Sequence, residues 1–509
     1  MIVRRAHPAA LAAIVLLGAA LRLFPIWFGL PYPHARPDEV TTIGHAVAIL
    51  AGDPNPHFFH WPSLTFYLMA AVFWLAGKVH GPLSPAAYLL IARAIVALAG
   101  TATIVVLARL AARIAGGAAG LAAALFLAVA PLHVRDSHFA LTDVLMTLLV
   151  TGSLALLLRA LERRSIYDVA AAGLLGGLAV STKYSAAAIA AAMAAVQAIW
   201  FHESQDRRSL VVFGVACAAG FLTATPYALL DMPTFAADLA YDRAHLAGGH
   251  AVAVGRGWIY HPAVTLPHGL GLGIFAAALA GLVPVVRHHR RPALVAGAFA
   301  AAFAALVGSG QAVFFRYVMP LLPLACFSAA VAVTRGGAWM AARTGAPRLP
   351  AVAAVAILVA LPSVVNSLRL DLLLARTDTR VLAARWLAPQ LRPESTLFDS
   401  GGDYTRLDFG ALPFHDWRYD EATRSFGDPQ GATPEWILVH DAPLREYTAP
   451  PPSLAALLAQ RYELVHEVRG TGGGSAAGIY DRQDAFFLPI AGFRDVERPG
   501  PDVRIYRRR

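Results

Sequence analysis

The sequence predicts a polytopic α-helical membrane protein with a small α/β domain at its C-terminal end. Of its 509 residues, 57% are hydrophobic and only 15% are charged, and the mean hydropathy is +0.55. A soluble globular chain of average composition carries about 25% charged residues. Apolar runs close to the ~20 residues that cross a bilayer recur through the first two thirds of the chain.

Eleven apolar segments are predicted to span the membrane. The first is expected to be an uncleaved span rather than a signal peptide, because its apolar run is long and lacks a small-residue cleavage site. The predicted spans are about residues 8–30, 88–110, 117–133, 142–159, 168–183, 185–201, 209–228, 268–286, 293–310, 317–334 and 349–367.

The predicted topology depends on one ambiguous segment, WPSLTFYLMAAVFWLAG at 61–77. If this segment were a span, the basic linkers at 109–113, 159–164, 206–208 and 287–291 would face outward. If it is not, all four linkers lie with the N-terminus on the cytoplasmic side, as the positive-inside rule requires. We therefore predict an interfacial or re-entrant helix here and a C-terminal region outside the membrane.

The predicted domain organisation follows from this topology. Residues 1–367 form the membrane module, in which 31–87, 134–141 and 229–267 are the first, second and third outer loops. Residues 368–509 are more polar and form the outer domain. Their runs STLFDS, EWILVHD, YELVHEV and VRIYRRR predict strands, and TRVLAARWL and SLAALLAQRY predict amphipathic helices.

Charge and cysteine content argue against several classes of protein. The formal charge of +10 does not indicate nucleic-acid binding, because much of the arginine excess lies in short linkers between spans. Cys217 and Cys326 both lie in apolar segments, so neither a disulfide framework nor a thiol metal site is predicted. The span interiors contain almost no acid, which disfavours a proton-coupled transporter.

The ionisable residues instead collect on one side of the predicted membrane. One carboxylate there could act as a general base on an acceptor hydroxyl, and the cations could stabilise a departing phosphate. The pattern indicates group transfer at the outer membrane surface. The residues that share this side are Asp38, Glu39, Asp136, Asp143, Lys183 and Arg316.

Structural alternatives stay open for several of these residues. Asp143 could cap the helix that follows it. Lys183 could extend its charge to the interface along an apolar stem. Arg36 could pair with Asp38 or Glu39 instead of contacting a phosphate.

The same holds for a second group. Arg135 could pair with its neighbour Asp136, and His138 could anchor the interface. His57 and His60 flank two phenylalanines, where they could be metal ligands with an acid or part of an aromatic belt.

The RPDE sequence after the first span resembles a known signature. It is similar to the Asp-Glu pair in the first outer loop of polyprenyl-phosphate-dependent glycosyltransferases with the GT-C fold, of the family 39 type. That group includes the protein O-mannosyltransferases and the bacterial aminoarabinose–lipid A transferases. The similarity continues in order through FHWPSLTFYL, RDSHFALTDVLMTLLV, STKYSA, FRYVMPLLPL, TDTRVLAARWL and FLPIAGFRDVERPGPDVRIYR.

This resemblance implies an inverting glycosyltransferase in the cytoplasmic membrane of a bacterium, with its active site facing the periplasm. The enzyme would move a sugar from a polyprenyl-phosphate carrier to a hydroxyl of a lipid, glycan or protein. The expected partners are that donor, the acceptor and membrane lipids, and no nucleic acid is expected. No cofactor is assigned, and a divalent metal is left open.

The resemblance also implies roles for individual residues. Asp38 corresponds to the general base and Glu39 to its neighbour, Asp143 to the second-loop carboxylate, and Lys183 to a lysine near the lipid phosphate. Acceptor identity does not carry over, because the third loop lacks mannosyltransferase-specific repeats. The residues assigned to substrate binding are Arg36, His60, Arg135, His138, Asp143, Lys183, Tyr184, Arg316 and Tyr317.

Two rival hypotheses belong to other functional classes. One is a transporter or flippase for polyprenyl lipids, which the scarcity of charges in the spans disfavours. The other is a non-catalytic membrane protein whose outer domain binds a partner. Fold alone would not decide between these and an enzyme.

Overall fold

The computed structural model describes residues 7–204, 207–426, 432–472 and 478–509. The predicted cytoplasmic linker at 206–208 lies partly outside these residues. The chain divides into two compact units. The helical unit comprises Met1–Ile26 and Thr41–Leu368, and the sheet unit comprises Trp27–Val40 and Arg369–Arg509.

Every stretch predicted to span the membrane contains an α-helix, and so does the ambiguous stretch at 61–77. Short 3₁₀ or π segments at Pro33–Ala35, Tyr184–Ala188, His261–Thr265 and Phe315–Leu321 separate some of the helices. The α-helices are α1 Pro8–Leu23, α2 Pro37–Leu50, α3 Leu64–His80, α4 Pro85–Ala115, α5 Gly117–Val129, α6 Pro131–Asp136, α7 Asp143–Arg163, α8 Ile166–Val180, α9 Ile189–Ser204, α10 Arg208–Ala224, α11 Tyr227–Leu230, α12 Met232–Gly248, α13 Gly257–Tyr260, α14 Leu266–Leu270, α15 Leu272–His288, α16 Arg290–Ser309, α17 Leu322–Thr344 and α18 Arg348–Leu374.

These helices differ in how well their length fits a bilayer. Among the described residues, five helical segments are long and apolar enough to cross, and a sixth is a pair bent by 116° between α14 and α15. Six shorter apolar helices, α3 among them, have 10–17 residues. The chain is therefore an integral membrane protein by its apolar helices, and the count of eleven spans stays a prediction.

Small residues allow the helices to pack closely. A Cβ atom at Gly177 of α8 would lie 2.0 Å from the carbonyl oxygen of Cys217 in α10. A Cβ atom at Gly220 of α10 would lie 2.5 Å from the carbonyl oxygen of Leu174. Only glycine fits at these two positions, so the backbones of α8 and α10 come into direct contact.

A buried arginine closes the end of α5. Arg22 of α1 donates hydrogen bonds to the carbonyl oxygens of Leu127 and Ala128, each at 2.9 Å. The last carbonyls of a helix have no partner within it. Arg22 therefore stabilises this helix end, and the turn that follows leads into the candidate site.

The sheet unit contains a five-stranded mixed sheet in the order β2-β1-β5-β7-β6. Strand β1 runs parallel to β2 and β5, whereas β7 is antiparallel to β5 and β6. A separate antiparallel pair joins β3 and β4. The strands are β1 Thr396–Asp399, β2 His415–Asp416, β3 Tyr419–Asp420, β4 Ser425–Phe426, β5 Trp436–Asp441, β6 Tyr462–Val468 and β7 Asp502–Arg508.

Helices cover both faces of this sheet. Side chains alternate between the two faces of a strand, so Trp436 and Leu438 pack with Leu387 of α19 (Thr379–Leu387). Ile437 and Val439 pack with Leu454 of α20 (Leu454–Arg461) on the opposite face. The predicted C-terminal α/β domain is confirmed.

Candidate active site

Three predicted residues form an ionic cluster in the helical unit. The Nζ atom of Lys183 donates to Oδ1 of Asp143 at 2.6 Å, and Nε of Arg316 lies 3.9 Å from Oδ2 of the same carboxylate. The side chain of Asp143 is 4% exposed and that of Lys183 is 18% exposed. One buried carboxylate thus holds two cations.

The cluster forms where three separate elements begin or end. Asp143 is the first residue of α7, where the helix dipole favours an acid. Lys183 lies just after α8, and Arg316 lies in the 3₁₀ segment Phe315–Leu321 that precedes α17. Thr142 occupies the N-cap position of α7 and its side chain makes no capping hydrogen bond, so the capping role considered for Asp143 is wrong; Asp143 lies in the first turn and contacts both cations.

An aromatic ring lies close to each of the two cations. Nζ of Lys183 lies 4.3 Å from the ring centre of Tyr317, and the guanidinium of Arg316 lies 4.2 Å from that of Phe314. Such contacts stabilise a cation by about 0.5–2 kcal/mol. Tyr184 directs its hydroxyl elsewhere and donates to the carbonyl oxygen of Phe59 at 2.7 Å.

Arg135 and His138 make contacts that hold the turn between α6 and α7. Nε of Arg135 donates to Oδ1 of Asp136 at 2.8 Å, which realises the neighbouring pair considered from the sequence. The ring nitrogens of His138 lie 3.0 Å from the carbonyl oxygens of Val134 and Phe24. Substrate binding by Arg135 and His138 stays a prediction.

His60 contacts two carboxylates of α12, a helix in the predicted third outer loop. Its Nδ1 lies 2.8 Å from Asp242, and its Nε2 lies 3.7 Å from Asp238. Burial raises the pKa of the Asp242 carboxyl, while the hydrogen bond with His60 opposes that shift. The contacts connect the first and third predicted outer loops.

The histidines next to Phe58 and Phe59 are not grouped as metal ligands. His57 lies 3.3 Å from Asp53 and 3.6 Å from Asp231, in ion-pair geometry. In the part of the chain that the structure describes, no three His, Cys, Asp or Glu side chains could hold a metal ion. The structure therefore does not identify His57 or His60 as a metal ligand.

A second group of predicted residues lies in the sheet unit, at the start of α2. The guanidinium of Arg36 is buried, with Nη2 3.6 Å from Oδ2 of Asp38, and Nη1 donates to Oδ1 of Asp484. Asp38 is 30% exposed, whereas Glu39 is fully buried. Asp38 is therefore the more accessible carboxylate of the predicted pair.

Sequence reasoning missed Asp484 and Tyr404 in this group. Burial raises the pKa of the Tyr404 hydroxyl, and the charges of Asp38, Asp403 and Asp484 raise it further, while Arg36 opposes them. The phenol is therefore protonated at neutral pH and can donate a hydrogen bond. Asp484 lies three residues before the run FLPIAGF, and this proximity is the local feature of the sequence that could have drawn attention to it.

A family model covers part of the helical unit. Residues 62–228 match the model of the dolichyl-phosphate-mannose-protein mannosyltransferases. This region includes Asp143 and Lys183 and ends before Arg316. No curated protein matches the chain in a sequence comparison.

Solved structures extend the likeness to nearly the whole chain. ArnT from Cupriavidus metallidurans, both in the apo state and bound to undecaprenyl phosphate, is 17% identical with a TM-score of 0.58. The match covers 98% of this chain and 97% of that chain. The Archaeoglobus fulgidus oligosaccharyltransferase in its apo form is 16% identical with a TM-score of 0.52.

The two likenesses differ in extent. The match to the archaeal enzyme covers 77% of this chain and 62% of that longer chain, whereas the match to ArnT includes both units. At these identities the structural likeness establishes the fold. The chain therefore has the GT-C fold, and its residues 62–228 are similar to the protein mannosyltransferases.

Proposed function

We propose that the protein is an inverting glycosyltransferase that moves a sugar from a polyprenyl-phosphate carrier to an acceptor hydroxyl. The observation that carries this proposal is the buried cluster in which Lys183 and Arg316 share the carboxylate of Asp143. The family match and the ArnT structure with bound undecaprenyl phosphate support a carrier of this class.

Lys183 and Arg316 would act on the donor phosphate. When the bond between the sugar and the phosphate oxygen breaks, negative charge grows on the phosphate. Charge-assisted hydrogen bonds from an ammonium and a guanidinium strengthen as that charge grows, so they favour the transition state over the bound donor. Asp143 keeps the Lys183 ammonium in place before the donor arrives.

Asp38 would act on the acceptor. Its carboxylate accepts the proton of the acceptor hydroxyl as the oxygen attacks the anomeric carbon. A new carbon–oxygen bond forms on the face opposite the phosphate, and the old bond breaks with its electron pair leaving on polyprenyl phosphate. The attack from the opposite face inverts the anomeric configuration. Glu39, buried beside Asp38, would fix the start of α2.

The roles of the other predicted site residues are also proposals. Substrate binding is proposed for Arg36, His60, Arg135, His138, Tyr184 and Tyr317. Arg36 lies beside Asp38, and Tyr317 flanks the cation of Lys183. The acceptor would be a lipid, glycan or protein hydroxyl at the periplasmic face of a bacterial cytoplasmic membrane.

Sugar transfer can be measured directly. The purified protein in lipid nanodiscs is incubated with a panel of undecaprenyl-phosphate sugars and candidate acceptors, and released undecaprenyl phosphate and glycosylated product are quantified. Asp38→Asn should lower product formation about 10²- to 10⁴-fold, because general-base catalysis contributes that factor. Glu394→Gln, which removes an exposed carboxylate of the sheet unit, should leave the rate unchanged.

The result separates the competing functions. Full activity of Asp38→Asn would contradict the general-base role. A flippase would move the carrier across a proteoliposome bilayer without releasing any sugar. A binding protein would retain the carrier without either movement or transfer.

A further inference from the structure

We propose that Asp484 is a positioning residue for Asp38, acting through the guanidinium of Arg36. The proposal rests on the proposed function for the role of Asp38 as the base. It gives the C-terminal region a task in the reaction, which is to fix the loop that carries this carboxylate.

The contact with Asp484 lies at the point where the chain enters α2. Arg36 immediately precedes Pro37, the first residue of that helix, and Asp38 follows in its first turn. Nη1 of Arg36 donates to Oδ1 of Asp484, and both side chains are less than 5% exposed. A planar guanidinium held by a buried carboxylate has a defined orientation, so the backbone leading into α2 is fixed with it.

Further contacts attach the same loop to the C-terminal region. The rings of Phe28 and Phe486 meet edge to face with their centres 6.3 Å apart. The hydroxyl of Tyr32 donates to the carbonyl oxygen of Arg406 at 3.0 Å, and the guanidinium of Arg380 lies 4.4 Å from the Tyr32 ring centre. These contacts explain why Trp27–Val40 belongs to the sheet unit.

Asp484 also affects how Arg36 meets the base. The guanidinium faces two carboxylates, and Asp484 makes the shorter contact, while Asp38 lies 3.6 Å away and is 30% exposed. Without the Asp484 charge, the guanidinium would be drawn toward Asp38 and would compete with a substrate hydroxyl for its oxygen atoms. Asp484 thus both anchors the loop and leaves the Asp38 carboxylate accessible.

The first experiment compares Asp484→Asn with Arg482→Gln, a matched control on the same segment. Arg482 pairs with Glu446 and is 52% exposed. Hydrogen exchange of backbone amides in residues 33–42 is measured in nanodiscs, together with kcat and KM for the undecaprenyl-phosphate sugar that the wild-type protein uses.

Asp484→Asn should accelerate exchange in this segment and lower kcat about 10- to 100-fold, because small misplacements of a reacting group cost that much. KM for the donor should stay within about twofold, since the cations that bind phosphate are untouched. Asp484→Glu should restore part of the rate, and Arg482→Gln should change neither quantity. Wild-type exchange and kcat in Asp484→Asn would overturn the proposal.

A double variant covers the case in which Asp484→Asn folds poorly. Arg36→Gln with Asp484→Asn removes both charges and leaves neither buried ion without its partner. If Asp484 acts through Arg36, the double variant should be no slower than Arg36→Gln alone. If the double variant is slower by a further tenfold, the proposed route through Arg36 is wrong. An active Asp38→Asn variant would instead contradict the proposed function and leave the exchange result standing.

Discussion

The two lysines of the chain occupy opposite environments. Lys78 is exposed near the end of α3, with its Nζ 5.6 Å from the ring centre of Trp74. Lys183 is largely buried against Asp143 and Tyr317. A buried cation needs compensation for its lost hydration, and the Asp143 carboxylate and the Tyr317 ring both contribute to it for Lys183. Lys78 can therefore serve as the control residue when a phosphate-binding role of Lys183 is tested.

Replacing Lys183 by Ala should weaken binding of undecaprenyl phosphate about 10- to 100-fold, because hydrogen bonds to charged groups contribute about 1.5–3 kcal/mol. Radiolabelled undecaprenyl phosphate bound to the protein in nanodiscs gives the affinity. Lys78→Ala should bind as the wild type does, and Lys183→Arg should lie between the two. Equal affinities for Lys183→Ala and Lys78→Ala would remove Lys183 from the phosphate site.

Residue contacts could be predicted from the sequence only where topology constrains them. Asp143, Lys183 and Arg316 each lie at a predicted end of an apolar segment. Counting the predicted spans places all three on the outer side of the membrane, and in the structure they are in contact. Arg36 and Asp484 are 448 positions apart. Their pairing depends on how the loop after α1 folds into a separate unit, and no local pattern encodes that.

Hydrophobic periodicity predicted the long helices and strands but not the short strands. The four predicted strands form β1, β5, β6 and β7 of the sheet unit. The two-residue strands β2, β3 and β4 were missed, because two residues carry no alternation. The span predicted at 268–286 contains a break between two helices at Gly271, where the chain bends by 116° because this glycine adopts a positive φ of 83°.

The contact between α8 and α10 gives a prediction for stability. Gly177→Ala places a Cβ atom against the Cys217 carbonyl, and a backbone atom cannot move aside as a flexible side chain can. Overpacking of this kind costs about 1–3 kcal/mol, so the thermal unfolding midpoint in detergent should fall.

Gly214 of α10 is the matched control, because no heavy atom lies within 4 Å of a Cβ built there. Gly214→Ala should keep or raise the midpoint, since alanine is about 1 kcal/mol better than glycine inside a helix. A midpoint for Gly177→Ala at or above that of Gly214→Ala would show that the two helices are free to separate.

At the scale of the whole molecule, chain order and compact units do not coincide. The break after Leu368 follows the change in composition at the last apolar helix, which the sequence displays. The inclusion of Trp27–Val40 in the sheet unit does not follow from composition. That segment supplies Phe28, Tyr32 and Arg36 to contacts within the C-terminal unit, and each contact is tertiary.

The membrane topology of the chain depends on whether α3 crosses the bilayer. Single cysteines at Arg163 and Ala422, both exposed, are introduced after Cys217 and Cys326 are replaced by Ala. A membrane-impermeant maleimide on intact spheroplasts should label Ala422→Cys directly and Arg163→Cys only after permeabilisation. The reason is that the predicted eleven spans would put the sheet unit outside and the basic linker at 159–164 inside. One additional crossing by Leu64–His80 reverses every later segment, so α3 is a span if the two positions exchange their labelling behaviour.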